Sequence, residues 1–137
     1  MSVYIDTSAF LAILNADDEV HQRASRIWLS LLDTESRLIT NSSVLVEAYA
    51  LIQRRLGMDA ARSFAKDILP VIEIIWIDEE IYQQSLVSFL SANRRNLSLV
   101  DCTSFVTMFH SNISRVFTFD AHFAEQGFEI LKDEIIN

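Results

Sequence analysis

A chain of 137 residues, half of them hydrophobic and with only 2 Gly and 1 Pro, has the size of one domain with a real core, residues 1–137; it does not have the composition of a disordered or linker-like protein. Its net charge of −8, from 19 acidic and 11 basic residues, excludes a general charge-driven grip on nucleic acid and leaves only local contacts through a few arginines. The apolar runs are too short for a transmembrane helix, no signal-peptide pattern opens the chain, and the single Cys102 excludes an internal disulfide, so the expectation is a cytoplasmic protein without membrane association.

In chain order, Ser2 to Ile5 predicts a first strand, and Asp6 and Thr7 open a short helix through Ala9, Phe10, Ile13 and Leu14. Val20, Ala24, Ile27, Trp28, Leu31 and Leu32 keep a 3.6-residue period and predict a helix over 18–33. Arg37 to Thr40 is a short strand. Asn41, Ser42 and Ser43 are cap-type residues before a helix that reaches Leu56 and is ended by Gly57. A helix over 59–69 follows, closed by Pro70. Val71 to Ile77 is a nearly continuous apolar run, as expected of a strand covered on both faces.

A long helix is predicted over 78–95, with Ile81, Ser85, Phe89 and Ala92 along one side, and another over 99–110. Arg115 to Phe119 reads as a strand, Ala121 to Gln126 as one or two helical turns, and Phe128 to Leu131 as a last strand; the tail from Lys132 carries no assignment. About five strands alternating with helices predict an α/β fold with a mainly parallel sheet. In such sheets ligands collect beyond the carboxyl ends of the strands, and two of the predicted strands end on an acid.

Four carboxylates sit where folding alone does not require them. Asp6 ends the run SVYI, Asp120 ends RVFTF, Asp101 lies beside an apolar helix face, and Glu47 interrupts the apolar stripe of a helix. Each aspartate also has a structural explanation. Asp6 and Asp120 are placed to cap the helices that follow them, and Ser98 with Asp101 makes a capping box. Glu47 lacks such an explanation: it projects between Val44 and Leu51, and no basic residue occupies 43, 44, 50 or 51. An unpaired buried carboxylate costs several kcal/mol or shifts its pKa upward. Carboxylates that converge need a cation, because like charges packed together cannot all stay ionised. A divalent metal with oxygen ligands is the obvious one, and it points to phosphodiester hydrolysis.

Other candidates are weaker. His21, His110 and His122 lack metal-ligand spacing and read as surface or core residues, Cys102 as a small core residue, and Phe117, Phe119 and Phe123 as packing. Thr118, two positions before Asp120, shares its strand face. Arg54-Arg55 and Arg94-Arg95 each close a predicted helix, which suits the helix C-terminus; lining an RNA groove is the alternative. No glycine-rich phosphate loop is present.

The segments VYIDTSAFLAIL, ITNSSVLVEAYAL, NLSLVDCTSFVTM and VFTFDAHFAEQGF together resemble the PIN domain family, and within it the toxin ribonucleases of VapBC toxin–antitoxin pairs. The resemblance implies a parallel sheet of order 3-2-1-4-5 with helices on both faces. It implies that Asp6, Glu47, Asp101 and Asp120 are the catalytic and metal-binding acids, with Thr7 and Thr118 as supporting hydroxyls. It further implies Mg²⁺ or Mn²⁺ as cofactor, RNA as substrate, a VapB-like antitoxin as partner, a homodimer, and contact with operator DNA only through the antitoxin. Two other readings remain open at this level: a PIN nuclease of RNA processing or decay without an antitoxin, and a non-catalytic binding module with the same fold.

Overall fold

The computed structural model describes residues 1–133. Five parallel strands, β1 (Ser2–Ile5), β2 (Arg37–Asn41), β3 (Glu73–Ile75), β4 (Arg115–Phe117) and β5 (Glu129–Ile130), form one sheet of order β3-β2-β1-β4-β5. The helices are α1 (Thr7–Leu14), α2 (His21–Asp33), α3 (Ser42–Leu56), α4 (Met58–Ser63), α5 (Glu79–Ala92), α6 (Leu99–His110) and α7 (His122–Glu125). The strand order and the parallel α/β architecture are those the resemblance implied.

The strands at the centre of the sheet supply the core. Val3, Tyr4 and Ile5 of β1 and Val116 and Phe117 of β4 are fully buried, and so are Phe10 of α1, Ile52 of α3 and Met108 of α6. Burying each such aliphatic or aromatic side chain contributes roughly 1.5–3 kcal/mol. Phe64 packs edge-on against both Phe10 and Tyr49, with ring centroids 5.0 Å apart in each pair.

Buried polar groups fix α6 on the sheet. The Tyr4 hydroxyl donates to Ser104 Oγ at 2.8 Å, and burial pushes the Tyr4 pKa up, so it stays a neutral donor. Asn41 Nδ2 donates to Thr107 Oγ1 at 3.1 Å and Thr103 Oγ1 at 3.3 Å, while Asn41 Oδ1 accepts the Val44 N–H at 2.9 Å and caps α3. One side chain thus ties the end of β2 to the start of α3 and the middle of α6. Gly57, with φ 94°, ends α3 in a conformation that costs other residues strain.

Several elements differ from expectation. The helix predicted from 18 begins at His21, because Asp18 Oδ1 accepts the Val20 N–H at 2.9 Å and holds a turn there. The predicted 59–69 helix is broken: α4 passes into a π-helical turn over Phe64–Ile68 and a 3₁₀ turn over Leu69–Val71. The 71–77 run is not a strand covered on both faces. Only Glu73–Ile75 pairs, with β2 alone at the sheet edge, and Trp76 is 69% exposed. A run's composition reports its hydrophobicity, not whether neighbours will flank it. The helix predicted to 95 stops at Ala92, where Asn93 turns left-handed at φ 50°, so Arg94 and Arg95 lie beyond its end. Arg94 pairs instead with Glu125 at 3.4 Å. β4 ends at Phe117, two residues short of the predicted strand. Of the unassigned tail, residues 134–137 lie outside the described residues.

Candidate active site

The register of β1 against β4 starts the site. Ile5 pairs with Phe117, and the Asp6 N–H donates to Phe117 O at 3.1 Å, extending the ladder one residue beyond the strand. Asp6 therefore emerges beside Thr118 at the carboxyl end of the sheet. Asp6 stands at the N-cap position of α1, yet its side chain makes no capping hydrogen bond. Its Oδ2 accepts hydrogen bonds from Thr118 Oγ1 at 2.9 Å and Ser8 Oγ at 3.0 Å. The capping explanation for Asp6 thus does not hold. The carboxylate is 5% exposed, and its pKa is pushed up to about 6. Burial is the main cause and the charge of Asp101 adds to it, while the Thr118 and Ser8 hydroxyls partly offset the rise.

The hydroxyls form an ordered chain. Ser8 Oγ accepts the Phe119 N–H at 2.9 Å while donating to Asp6, and Thr118 Oγ1 accepts the Asp120 N–H at 3.0 Å while doing the same. Their 3.1 Å approach to each other follows from sharing one acceptor. Thr118 lies just past β4, so this turn, not the pleat of a strand, relates it to Asp120.

Asp101 combines both readings of its sequence context. Its backbone N–H donates to Ser98 Oγ and its Oδ2 accepts the Ser98 N–H, each at 3.0 Å, which completes the capping box of α6. The same carboxylate faces Asp120 and His122. Its pKa is raised, chiefly by burial and then by the charge of Asp120, against the lowering effects of Ser98 and His122. Asp120 is half-buried, and its Oδ1 accepts the His122 N–H at 2.9 Å, forming a turn at the start of α7.

Glu47 differs from expectation. It is half-buried at the edge of the α3 stripe formed by Val44, Ala48 and Ile52, and it is partnered. Thr7 Oγ1 donates to Glu47 Oε1 at 2.8 Å, which links Glu47 to the residue after Asp6. Sequence spacing shows the absence of an intrahelical cation but not a hydroxyl contributed from 40 residues away.

Two members of the site were not anticipated. His122, read as an ordinary surface or core residue, brings Nδ1 within 2.9 Å of Asp120 Oδ1 and 3.8 Å of Asp101 Oδ2. Asp101, Asp120 and His122 each offer a ligand atom, and these atoms lie within 4.8 Å of one another. Ser8 is the other. Both follow an acid by two positions, in D-T-S and D-A-H, and a tight turn after a strand folds such side chains back onto the acid. His21 and His110 take no part: His21 Nδ1 lies 2.7 Å from Ala12 O, and His110 Nε2 lies 2.7 Å from Gln84 Oε1. Cys102 is buried, and burial pushes its thiol pKa up, which fits packing rather than nucleophilic chemistry.

Among the described residues the structure thus brings Asp101, Asp120 and His122 together, while Asp6 stands near enough to Asp101 to feel its charge and Glu47 is tied through Thr7 to the residue after Asp6; neither Asp6 nor Glu47 belongs to the three-residue group. A cavity of about 420 Å³ borders the group, lined by Thr118 and Asp120 together with Val20, Arg23 and Phe119. The Arg23 guanidinium lies over the Phe119 ring, 5.2 Å from its centroid.

Residues 3–129 match the PIN domain family. The chain belongs to this family. Among PIN-domain relatives, it is 31% identical over 133 residues to the 23S rRNA-specific endonuclease VapC20 of Mycobacterium tuberculosis, covering 96% of this chain and 99% of the relative. The crystal structure of Mycobacterium tuberculosis VapC20, a sarcin–ricin loop cleaving toxin, superposes with a TM-score of 0.85 at 30% identity over 95% of this chain and 98% of that one. FitAcB of Neisseria gonorrhoeae shares the fold, with a TM-score of 0.68 at 18% identity over 98% of this chain and 99% of that one.

The donor set of this PIN domain suits a divalent cation. Asp6 and Asp101, whose pKa values burial raises, Asp120 beside Asp101, Glu47 on α3, and a buried imidazole nitrogen without a hydrogen-bond partner are groups that such an ion can satisfy.

Proposed function

We propose that this chain is a divalent-metal-dependent endoribonuclease, the toxin of a toxin–antitoxin pair, acting on ribosomal RNA, with the PIN domain occupying residues 1–137. The observation that carries this reading is the grouping of Asp101 and Asp120 with His122, with the buried Asp6 close enough to feel the charge of Asp101. The match to VapC20 along nearly the whole chain supports the toxin class and the substrate class.

In this reading Asp6, Glu47, Asp101 and Asp120 hold Mg²⁺ or Mn²⁺, directly or through water, and form the catalytic acid set. The bound ion supplies charge compensation at the scissile phosphate and a more acidic water. The chain's own groups prepare that chemistry. Ser8 and Thr118 hold the buried Asp6 carboxylate in one orientation, Thr7 aims Glu47, and the Ser98 capping box fixes Asp101 on the first turn of α6. A water nucleophile leaves a 5′-phosphate and a 3′-hydroxyl.

An antitoxin of the VapB kind is the partner this reading requires. An arginine from it, placed among the carboxylates, would compensate the charge that burial makes costly at Asp6. A homodimer, a cytoplasmic location and contact with operator DNA only through the antitoxin complete the proposal. Among the described residues no helix is long and apolar enough to cross a membrane.

The test is cleavage of purified 23S rRNA and intact ribosomes by the protein with Mg²⁺ or Mn²⁺, with 5′ ends mapped by sequencing. One dominant cut, absent with Asp6→Asn and suppressed by the co-expressed antitoxin, is the expected result. No cut in any RNA at either metal would overturn the reading.

A further inference from the structure

Among the described residues, one buried side-chain nitrogen or oxygen has no hydrogen-bond partner: His122 Nδ1. The atom is not remote from polar groups. It lies 2.9 Å from Asp120 Oδ1 and 3.8 Å from Asp101 Oδ2, but without the geometry of a hydrogen bond to either. Those two oxygens already have donors. Asp120 Oδ1 accepts the His122 backbone N–H at 2.9 Å, and Asp101 Oδ2 accepts the Ser98 N–H at 3.0 Å. The ring is held in place by the turn that begins α7, and its side chain is 16% exposed. The fold therefore aims an imidazole lone pair or N–H toward two carboxylates and leaves it unsatisfied, an arrangement that costs free energy unless a further group engages these atoms together.

We propose that His122 Nδ1 is a direct ligand of the metal ion, beside Asp101 and Asp120, and that this nitrogen biases the site toward a first-row transition ion over Mg²⁺. The inference rests on the metal-dependent reading above and sharpens it. Ligand atoms of the three residues lie within 4.8 Å of one another, and the 2.9 Å between His122 Nδ1 and Asp120 Oδ1 is the spacing of two neighbouring donors on one ion with bonds of about 2.1–2.2 Å. Mg²⁺ is a hard ion that favours oxygen and keeps its waters, whereas imidazole suits the softer first-row ions. An all-carboxylate pocket would show a weaker bias. The spacing D-x-H places both donors by one turn, so Asp120 and His122 act as a unit.

The test uses Mn²⁺ as the probe on the full-length protein without RNA. Pulsed electron paramagnetic resonance of the wild-type Mn²⁺ complex is expected to show the coupling of a directly bound imidazole nitrogen. Selective ¹⁵N-histidine labelling should change that coupling, and His122→Asn should remove it, whereas His110→Asn should not. Calorimetry is expected to show a Mn²⁺ affinity about tenfold or more lower for His122→Asn. Mg²⁺ affinity, read by competition, should change far less. The wild-type spectrum needs no variant, so a poorly folding substitution does not block the test. Mn²⁺ binding that is lost in Asp6→Asn but shows no imidazole coupling would overturn this inference and leave the metal-dependent reading standing. No Mn²⁺ or Mg²⁺ binding at all would overturn both.

Discussion

The two halves of the acidic pocket handle charge in different ways. At the strand ends, Asp6 is buried and held by neutral donors, the hydroxyls of Ser8 and Thr118 and the Thr7 backbone N–H. On the helix side, Asp101 and Asp120 are half-buried, carry structural hydrogen bonds of their own, and face an imidazole. Neutral donors offset only part of the desolvation of a carboxylate, so Asp6 is pushed up to about 6 despite them. The buried half is where a missing cation costs most, and the half-buried half is where function and helix capping overlap.

The largest expected difference between the halves is catalytic. Asp6→Asn should reduce RNA cleavage by roughly 10³-fold or more while the folded spectrum is retained. Retained cleavage would mean that the buried half is structural.

The next largest is the pH dependence of the metal-free protein. Asp6 ionises near its ordinary 3.8 in the unfolded chain and near 6 in the folded one, so folding takes up a proton between those values. Its contribution to stability is complete below 3.8 and is lost as pH rises through 6. That difference corresponds to about 3 kcal/mol, and the raised Asp101 acts in the same direction. Urea denaturation should find Asp6→Asn more stable than wild type at pH 8, with the gap closing by pH 4. Saturating metal should narrow the gap at pH 8 by binding the folded wild type alone.

Ser8→Ala and Thr118→Val probe the hydroxyls. Each should cost about 1.5–3 kcal/mol at pH 8, where the carboxylate they serve is ionised, and less at pH 5. Equal costs at both pH values in the same denaturation experiment would assign the hydroxyls to packing instead.

Asp101 separates capping from chemistry. Asp101→Ala should lose both cleavage and about 1 kcal/mol of stability, whereas Asp101→Asn should lose cleavage with a smaller change in melting temperature. The smallest effect belongs to Arg94→Ala, which breaks an exposed pair with Glu125 outside the pocket and should cost less than about 0.5 kcal/mol.

How far these features could be read from the chain depends on how local their causes are. The α6 boundaries at Leu99 and His110 follow from the Ser98 capping box and an apolar run, both local signals. The edge position of β3, the break after α4 and the early end of α5 do not, because pairing partners and covering helices are set by distant segments. The same division runs through the site. An acid ending an apolar strand, as at Asp6 and Asp120, or breaking an apolar helical stripe, as at Glu47, conflicts with simple packing and so is visible in one dimension.

Serine and histidine raise no such conflict, so Ser8 and His122 looked ordinary until the chain was folded. Composition, periodicity and the four family-like segments determined the α/β class and the acids worth watching. Only the tertiary structure decided that Asp6 is buried, that Glu47 has Thr7 as its partner, and that His122 turns an unsatisfied nitrogen toward Asp101 and Asp120. Burial and hydrogen bonding depend on atoms far apart along the chain, and the parallel register of β1 with β4 brings those atoms together.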